Sequence, residues 1–565
     1  MPMLDKKHVV NVPEGAIVRS NRIVLWTIEK RYSKTKQYNN DARRQIGKAL
    51  EADRTKMYPN DNYKELFPDG YNECLGTKPS PSWQSIGLYT VLKSIAERLP
   101  LYDCLYQAFG KQDADLILDY AMYSIAYETS VSQHFEKEMA DRALFSEKLR
   151  SDSYLSGFFK NNLAQEKIDH FLDLWAPAII KHKGIGKMYA NVDGSNDDCD
   201  STSSDMAEKG HSKSGKKKNI INMMYTVAPD GTPISFIQYR GSVVDSVAMQ
   251  WVIKYAEHLN LKLQGFCIDR GFCGKEIADY IKQADYGFVM MLTDNVDSYT
   301  DAVAEIGGDI RNNVDKWLFD NELFADTVEK PLFKKDKDTS FIHVFYDCEK
   351  GGATTAALLR NIRKAINETT AKLRNGEKPA IPANMGRYFG FRPGTGPKTL
   401  QYYTQGIQES VDAKGFFGLA TSKKMTALEA YNIYSTRDAS EKQYMIMKSE
   451  IGLDTYRVGK DPSIRGKQFI AFVAGILRNE ILLASKAMLE EKSNPARYST
   501  VAIIKELLRI QIKRMPGDIY ALVMNISARD EFMLKHLGLR SKDLDKVVKE
   551  QNSRIKGVCK TTREV

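Results

Sequence analysis

The pattern of apolar and polar positions divides the first third of the chain into two parts. In residues 1–75, the apolar run IVLWTIEKRYS (23–33) is followed by a polar turn, which predicts a small β-rich domain. Residues 85–182 repeat apolar positions at three- and four-residue spacing, as in ADLILDYAMYSIAYE, and predict a helical domain. Residues 76–84 are rich in Pro, Ser and Gly and are typical of a linker.

Strands and helices then alternate in residues 183–295, which predicts an α/β unit. The predicted elements are, in order, strand KMYANVD, strand NIINMMYTVAP, strand TPISFIQYRG, helix DSVAMQWVIKYAEHL, strand KLQGFCID, helix GKEIADYIKQA and strand YGFVMMLT. We expect Asp193 and Asp269 to be the last residues of two neighbouring, buried strands, where the chain turns out of the sheet.

The spacing of three acidic residues predicts an inserted domain. Asp193 and Asp269 are 76 positions apart, whereas Asp269 and Glu441 are 172 positions apart, which is more than a compact α/β core needs. Residues 296–430 form the predicted insertion, with strand-like FIHVFYD and GFFGLAT on either side of a helical stretch.

The remaining residues are predicted to be mainly helical. Residues 431–490 complete the core with a long helix, RGKQFIAFVAGILRNEILLASKAM (465–488). Residues 491–565 form a C-terminal helical region, in which STVAIIKELLRIQIKRM (499–515) is one amphipathic element. The polar tail from residue 541 onward is expected to fray.

Four polar residues in 434–448 have an unusual spacing. Tyr434, Arg437, Glu441 and Lys448 form the pattern Y-x2-R-x3-E-x6-K, and on one α-helix all four would project from one narrow face. An acid, two cations and an aromatic ring are poor constituents of a core face. They are well suited to holding a metal ion and a phosphate backbone together. The plain alternative for Arg437 and Glu441 is a surface ion pair at i and i+4.

Three carboxylates are candidates for one metal site. Asp193 and Asp269 at strand ends can converge with Glu441 from a helix, and in-line phosphoryl transfer uses such a cluster to hold two divalent ions about 4 Å apart. Mg²⁺ prefers oxygen ligands and keeps waters, so a few carboxylates suffice. A lone Asp after a strand is more often a turn or cap residue.

Other acids lie close to Asp193 in the sequence and could be confused with the metal ligands. Asp197, Asp198 and Asp200 occur in the polar stretch NDDCDSTSSD, which is typical of a mobile loop.

The positive charge is concentrated in two segments. The net charge is +10, and between Arg19 and Lys56 there are eleven Lys or Arg residues and four acids. The second, basic segment is 209–218, which contains five lysines and follows Asp193 closely in the sequence. Contact with a phosphate backbone requires local basic patches, and a β-sheet can lie in a DNA groove, although a solvated surface is the alternative for each patch. The candidate DNA contacts in these two segments are Arg31, Lys34, Lys36, Arg43, Arg44, Lys213, Lys216, Lys217 and Lys218.

The composition indicates a soluble, cytoplasmic protein. The chain is 42% hydrophobic and 27% charged, and its apolar run FIAFVAGIL (469–477) is shorter than the roughly 20 residues that span a bilayer. The seven cysteines are spread singly without a CxxC pair, so we expect free thiols and no zinc site.

Together these residues resemble a DDE transposase of the insertion-sequence-4-like group, which is defined by the Y-x2-R-x3-E-x6-K signature. The matching segments are DGSN around Asp193, GHSKSGKKK at 210–218, PDGTPISFIQYRGSVVD at 229–245, CIDRGF around Asp269, and the signature itself. They occur in the right order over about 190–450. His211 departs from the pattern, because family members commonly have an aromatic residue there.

The resemblance implies an α/β fold in which an RNase H-like catalytic core is interrupted by a mostly β insertion domain. A small β-rich DNA-binding domain and a helical domain precede this core. The implied reaction is hydrolytic nicking at the transposon end, hairpin formation, hairpin opening and insertion into target DNA. An aromatic residue of the insertion can stack on a flipped base in this group, and Trp317 is the only tryptophan there.

The resemblance also implies roles for the site residues. Asp193, Asp269 and Glu441 would bind two Mg²⁺ or Mn²⁺ ions, and Arg437 and Lys448 would clamp phosphates beside the cut. Tyr434 would contact the same strand, and Arg270 is a further DNA contact. The implied partners are double-stranded DNA, namely terminal inverted repeats and target, and a second copy of the chain in a bacterial cytoplasm, at the nucleoid when bound to DNA.

Two other functions remain open from the sequence. The first is a domesticated transposase that recognises DNA without chemistry, and the second is an RNase H-like nuclease. The products distinguish them, because a nuclease leaves cut ends whereas a transposase also joins a 3′ end to new DNA.

Overall fold

The computed structural model describes residues 4–6, 8–29, 32–33, 38–39, 41–67, 71, 83–146, 148–184, 188–394, 398–515 and 519–561. The protein is a mixed α/β chain with several sheets, as predicted. It divides into two compact units. The first comprises Met1–Ser94, Glu136–Leu149 and Ala487–Val565, and the second comprises Ile95–Phe135 and Arg150–Lys486.

The N-terminal residues form the β-rich structure that the sequence predicts. Their elements are β1 (Val10–Asn11), β2 (Ile17–Val18), β3 (Ile23–Glu29), β4 (Tyr32–Ser33), β5 (Tyr38–Asn39), β6 (Ala42–Ala49), β7 (Lys56–Pro59) and α1 (Asp61–Leu66). Five strands form an antiparallel sheet in the order β1-β7-β6-β3-β2, and β4 pairs with β5. Val24, Ile46 and Met57 are fully buried in its core.

A mostly helical stretch follows, again as predicted. It contains β8 (Trp83–Ser85), α2 (Gly87–Arg98), α3 (Leu101–Phe109), α4 (Lys111–Tyr127), α5 (Phe135–Glu138), α6 (Asp152–Asn161) and α7 (Gln165–His182). The apolar spacing of α7 buries Trp175, whose indole nitrogen donates to the Pro233 carbonyl at 3.0 Å. This buried polar atom is therefore satisfied.

The α/β core begins with a sheet of five strands. The elements are β9 (Tyr189–Cys199), β10 (Asn219–Val227), β11 (Pro233–Arg240), α8 (Asp245–His258), β12 (Gly265–Ile268), α9 (Lys275–Gln283) and β13 (Gly287–Met291). Their order in the sheet is β11-β10-β9-β12-β13. The neighbouring pairs among β9, β10 and β11 are antiparallel, whereas β12 runs parallel to both β9 and β13. Asp193 lies on β9, and Asp269 directly follows the neighbouring strand β12; the sequence predicts that the two strands are neighbours, and the structure shows that they are parallel.

The predicted insertion extends the same sheet. It contains α10 (Asp297–Asn312), β14 (Trp317–Leu318), β15 (Leu323–Lys330), β16 (Ser340–Tyr346), α11 (Cys348–Arg374), β17 (Phe389–Phe391), β18 (Leu400–Tyr402), α12 (Thr404–Asp412) and β19 (Phe416–Thr421). Beyond β13 the sheet continues as β19-β16-β15-β14 with antiparallel pairing. The expectation of a mostly β insertion is wrong, because α11 alone has 27 residues and the longest strand of the segment has 8.

The remaining elements include strands that the sequence did not predict. They are α13 (Ala427–Ser435), α14 (Asp438–Met445), β20 (Thr455–Tyr456), α15 (Asp461–Lys492), α16 (Pro495–Tyr498), α17 (Thr500–Arg509), β21 (Gln511–Met515), β22 (Ile519–Leu522), α18 (Ala528–His536) and α19 (Ser541–Thr561). The segment 499–515 is thus a helix followed by a strand that pairs with β8 and β22. The tail from residue 541 is helical to residue 561 rather than frayed.

Helix α15 is the long helix predicted to complete the core. By length and composition alone it could cross a membrane, but 78% of its most apolar 18-residue window is buried within the fold. Core helices of soluble proteins share these properties.

Both faces of the core sheet are covered. On one face, Val192, Phe266 and Phe288 pack in a cluster with residues of α8, α9 and α10. On the other face, Tyr189 and Cys267 pack in a second cluster with α13. Because side chains alternate along a strand, residues of β9 with odd numbers face α13 and those with even numbers face α8.

The close approach of β12 and β13 depends on glycine. Gly265 lies opposite Gly287, and a Cβ at Gly265 would lie 1.9 Å from the Gly287 carbonyl oxygen. We expect Gly265→Ala to lower the free energy of unfolding by about 3 kcal/mol, measured by urea denaturation, because the backbone cannot move aside without separating the strands. Gly308→Ala in α10 is the control, because no atom lies within 4 Å of its Cβ position. An equal effect of the two substitutions would contradict the close approach.

Candidate active site

Asp193 and Asp269 lie where two parallel strands separate. The last paired residues of β9 and β12 are Val192 and Ile268, and the two aspartates directly follow this pair in the chain. Strand β9 continues to Cys199 and pairs with β20 from Asp198 onward. Between Val192 and Asp198, no strand of the described residues pairs with the edge of β9 that faces β12 and β20. Asp269 ends its strand as predicted, but Asp193 lies within a strand, which corrects the sequence-based expectation.

One face of β9 is polar and points towards the segment that carries the signature. Asn191, Asp193, Ser195 and Asp197 alternate along the strand and therefore share a face. Each contacts a residue of 434–448. The polar side chains of β9 thus hold the signature segment against the sheet.

Asn191 is the reason why the signature is not one continuous helix. Its side-chain amide donates to the Thr436 carbonyl at 3.0 Å, and its oxygen accepts from the Thr436 hydroxyl at 3.2 Å. The Thr436 carbonyl is therefore bonded to β9, and the chain turns tightly there, with a bond from Ala439 N to Thr436 O. The single helical face expected for Tyr434, Arg437, Glu441 and Lys448 is corrected to two helices, α13 and α14, that meet at Arg437.

A π-helical turn, Ile446–Glu450, brings Lys448 against β9. The Lys448 ammonium lies 2.8 Å from the Ser195 hydroxyl, 2.7 Å from the Asn196 carbonyl and 3.4 Å from Asp197 Oδ1. Glu450 at the end of this turn pairs with the fully buried Arg478 of α15 at 2.5 Å. Lys448 is thus bonded within the protein, whereas the sequence predicted that it clamps a phosphate.

The guanidinium of Arg437 joins the three candidate metal ligands. Its Nη2 lies 2.7 Å from Glu441 Oε1, and its Nη1 lies 3.8 Å from Asp269 Oδ2 and 3.9 Å from Asp193 Oδ2. The i, i+4 ion pair of Arg437 with Glu441 is present, but both aspartates face the same cation. Three acids from distant parts of the chain therefore lie around one cationic group, whereas the sequence predicts that they share a metal site.

Two tyrosines bond the cluster, and burial changes the pKa of one of its carboxylates. The Tyr434 hydroxyl donates to Asp269 Oδ1 at 3.1 Å. Burial raises the pKa of Asp193 above its ordinary value, although Lys213 and Arg437 lower it. The Asp193 carbonyl accepts a bond from the buried Tyr444 hydroxyl at 2.6 Å, which fixes the backbone beside the carboxylate.

The other face of β9 holds the predicted basic segment. The Asn196 side chain donates to the His211 carbonyl at 2.9 Å and accepts from the Lys213 amide at 3.0 Å. The Lys213 ammonium donates to the Gly194 carbonyl, and its charge acts on Asp193. Lys213 thus lies beside the cluster, as predicted from the sequence.

The other predicted DNA-contacting residues near the site differ in how they are paired. Lys216 lies 3.5 Å from Asp198, and Lys218 lies 2.6 Å from Asp200. Lys217 is exposed, as is Arg270, whose backbone amide donates to Asp269 Oδ1 at 2.8 Å. Lys217 and Arg270 are therefore the exposed cations of this set whose side chains make no ion pair among the described residues.

The remaining predicted DNA contacts belong to the N-terminal segment of the chain. Arg43 and Arg44 are exposed on β6 and pair with Asp41 and Glu65, each at 3.3 Å. Arg31, Lys34 and Lys36 lie outside the described residues. Trp317 packs against Phe324 with ring centroids 4.6 Å apart, so the structure gives it a packing role.

The donor set suits a divalent cation in chemistry and charge. Asp193, Asp269 and Glu441 supply carboxylate oxygens, the ligands that Mg²⁺ and Mn²⁺ prefer, and Arg437 offsets only one of their three negative charges. As they stand, however, no three acidic, His or Cys side chains in the described parts of the chain are close enough to hold a metal ion. The Arg437 guanidinium lies within 4 Å of all three carboxylates.

Sequence reasoning missed the residues that position this cluster. Asp197 and Asp198 are buried in β9, which corrects the mobile loop expected for this stretch. Asn191 and Tyr444 were not singled out, although each bonds a backbone carbonyl at the site. The available signal was the polar alternation Asn191, Asp193, Ser195, Asp197, which continues the strand after its apolar part ends.

Asp197 gives the fold a specific pH dependence. Burial raises the pKa of Asp197 to about 7, although the Lys448 ammonium lowers it. The pKa of Asp197 is higher in the folded state than in the unfolded state. Its contribution to the free energy of unfolding is therefore fully present below about pH 4 and is lost as the pH rises through about 7. As the pH rises from 5 to 8, we expect the free energy of unfolding of Asp197→Asn, measured by urea denaturation, to increase by about 2 kcal/mol relative to that of wild type. A difference between the two proteins that is the same at pH 5 and pH 8 would contradict this prediction.

Comparison with models of known protein families found no match for this chain. A search of curated proteins found no match either.

Proposed function

We propose that the chain is a DDE transposase similar to the insertion-sequence-4-like group, with an RNase H-like core. It would bind the terminal inverted repeats of its element, cut them in a metal-dependent reaction through a hairpin intermediate, and join them to target DNA. Two copies are expected in the complex that pairs two ends.

One observation carries the proposal. Asp193, Asp269 and Glu441 come from two strands and a helix, and all three face the guanidinium of Arg437 within 4 Å. These are the residues that the signature and the two aspartate motifs select from the 72 acids of the chain. Convergence of these three acids would be a coincidence if each were only a turn residue or a surface ion pair.

The topology of the core supports the same proposal. The first five core strands are arranged β11-β10-β9-β12-β13, and only β10 runs against the other four. This order is the one expected for an RNase H-like sheet. It places both aspartates at the carboxyl ends of paired parallel segments, where ligand crevices form in α/β sheets.

The protein residues have distinct roles in the proposed reaction. Asp193, Asp269 and Glu441 would hold two Mg²⁺ or Mn²⁺ ions. The chemistry that bound ions supply in such a site is activation of the attacking hydroxyl and stabilisation of the leaving oxygen. Arg437 offers a planar fork for a phosphate, and the exposed Arg270 and Lys217 add positive charge at the mouth of the site.

Cleavage of the element's own ends tests the proposal. Duplex DNA carrying the inverted repeats that flank the coding sequence in its source genome is incubated with the protein and Mg²⁺ or EDTA. We expect nicks and hairpins at the repeat boundary with Mg²⁺ and none with EDTA. Tight binding of the repeats without any cut would instead favour a domesticated DNA-binding protein. Cuts without preference for the repeats would favour a nuclease.

A further inference from the structure

Arg437 occupies the centre of the carboxylate cluster although it belongs to the residues expected to contact DNA. Its side chain is 18% exposed, and its guanidinium makes a cation–π contact with Tyr434, with 5.6 Å from the guanidinium carbon to the ring centroid. Among the described residues, its one side-chain hydrogen bond is to Glu441 at 2.7 Å. The contacts with Asp193 and Asp269, at 3.9 and 3.8 Å, are too long for hydrogen bonds and are purely electrostatic.

The same oxygens cannot serve Arg437 and a divalent ion together. Oxygen ligands lie about 2.1 Å from Mg²⁺. As the described residues stand, no three acidic, His or Cys side chains are close enough to one another to hold a metal ion. The guanidinium and a divalent cation are also both positively charged, so they would repel each other at contact distance.

The Arg437 side chain is held by one hydrogen bond, and that bond is open to water. It stands at the junction of α13 and α14, where the backbone makes a tight turn rather than a continuous helix. Its hydrogen-bond partner Glu441 is 56% exposed, so water competes for that bond. The backbone of this junction is fixed by Asn191, so the side chain can move without loss of the turn.

We propose that Arg437 is the resident counter-cation of the DNA-free carboxylate cluster and that it must leave before a divalent ion can bind. This rests on the proposed function, in which a DNA phosphate then accepts the released guanidinium. Because a phosphate that binds Arg437 removes it from the carboxylates, DNA binding and metal binding strengthen each other, and the linkage is reciprocal. The chain therefore binds metal tightly only when DNA is present, which confines cleavage chemistry to the DNA complex.

Direct metal binding without DNA tests this inference. The probe is Mn²⁺, whose free concentration is followed by electron paramagnetic resonance during titration of the full chain. We expect Arg437→Gln to bind Mn²⁺ about 10-fold more tightly than wild type, because the competitor is gone. Arg437→Lys, which lacks the fork, is expected to tighten binding by a smaller factor, and it serves as a second variant should Arg437→Gln not fold.

Lys442→Gln is the matched control. Lys442 lies on α14, and its substitution by Gln also removes one positive charge. Its ion-pair partner, however, is Asp438, which is not one of the three carboxylates of the cluster. Its Mn²⁺ affinity is expected to stay within about twofold of wild type. In the presence of duplex DNA, the Mn²⁺ affinity of wild type is expected to approach that of Arg437→Gln. The Mn²⁺ affinity of Arg437→Gln itself is expected to change little when DNA is added.

The outcomes separate this inference from the proposed function. Equal Mn²⁺ affinity of wild type and both Arg437 variants would overturn the inference while leaving a metal site in place. Equal tightening by Lys442→Gln would also overturn it, because the effect would then be one of net charge. No Mn²⁺ binding by any folded variant, with or without DNA, would overturn the proposed function as well.

Discussion

Glu441→Gln is expected to reduce metal-dependent cleavage of transposon-end DNA by about 1,000-fold, because it removes a metal ligand. This factor corresponds to about 4 kcal/mol of lost transition-state stabilisation, since each 1.36 kcal/mol costs tenfold. Glutamine keeps the size of the side chain and an oxygen that can accept from Arg437, but it removes the negative charge that a divalent ion needs. The substitution leaves the fold intact, because Glu441 is 56% exposed and has no partner besides Arg437 among the described residues.

Asp438→Asn is the matched control for Glu441→Gln. Asp438 is on the same helix, is 58% exposed, and pairs with Lys442 at i+4 as Glu441 pairs with Arg437 at i−4. We expect its cleavage rate to stay within about twofold of wild type, because a surface pair of this kind contributes little. Loss of activity in Asp438→Asn, or full activity in Glu441→Gln, would contradict the assignment of Glu441 to the site.

Lys448→Met is expected to lower the free energy of unfolding by about 3 kcal/mol at pH 8, because it leaves the carboxylate of Asp197 buried without its cation. Asp197 is 2% exposed, and Lys448 also bonds the Ser195 hydroxyl and the Asn196 carbonyl. Combining Lys448→Met with Asp197→Asn is expected to recover about 2 kcal/mol of the loss, because both members of the pair are then gone.

Lys217→Met is the control for the Lys448 prediction, since Lys217 is exposed in the nearby basic segment. Its stability is expected to stay within about 0.5 kcal/mol of wild type, measured by the same urea denaturation. A loss of DNA binding in Lys448→Met with unchanged stability would show that Lys448 is a phosphate clamp, as its place in the signature predicts. Unchanged stability of the single variant would contradict the buried pair.

The limits of prediction are clear at β9. Asp269 follows the apolar run LQGFCI, so the end of β12 was predictable from hydrophobicity. The second half of β9, GSNDDC, has no apolar residue except Cys199 and was not recognised as a strand. Its polar side chains bond residues on both faces of the strand: Ser195 accepts from Lys448 on one face, and Asn196 donates to the basic segment on the other. Such tertiary bonds override local propensity.

The break in the signature helix could not be predicted from its own sequence. Nothing within residues 427–445 is a Pro or Gly, the usual causes of a kink. The cause is Asn191, which is 245 positions away in the chain and bonds the Thr436 carbonyl. The i, i+4 pair of Arg437 and Glu441 was readable from spacing, but its contact with two distant aspartates required the fold.

The insertion illustrates the same limit on a larger scale. Its strand-like segments FIHVFYD and GFFGLAT are strands β16 and β19, as predicted. Strand β19 pairs with both β16 and β13, so both strands of the insertion belong to the core sheet. Strand partners at long separation are fixed by tertiary packing, which periodicity along one segment does not report.

Strand transfer is the measurement that tests the central claim most directly. The wild-type chain is incubated with Mg²⁺, pre-cut duplexes ending in the element's inverted repeat, and a supercoiled target plasmid, and the junctions are sequenced. The account predicts junctions in which the 3′ end of the repeat is joined to target DNA, and their loss in Glu441→Gln but not in Asp438→Asn. Bound or cut repeat DNA without any joined junction in the wild type would contradict it.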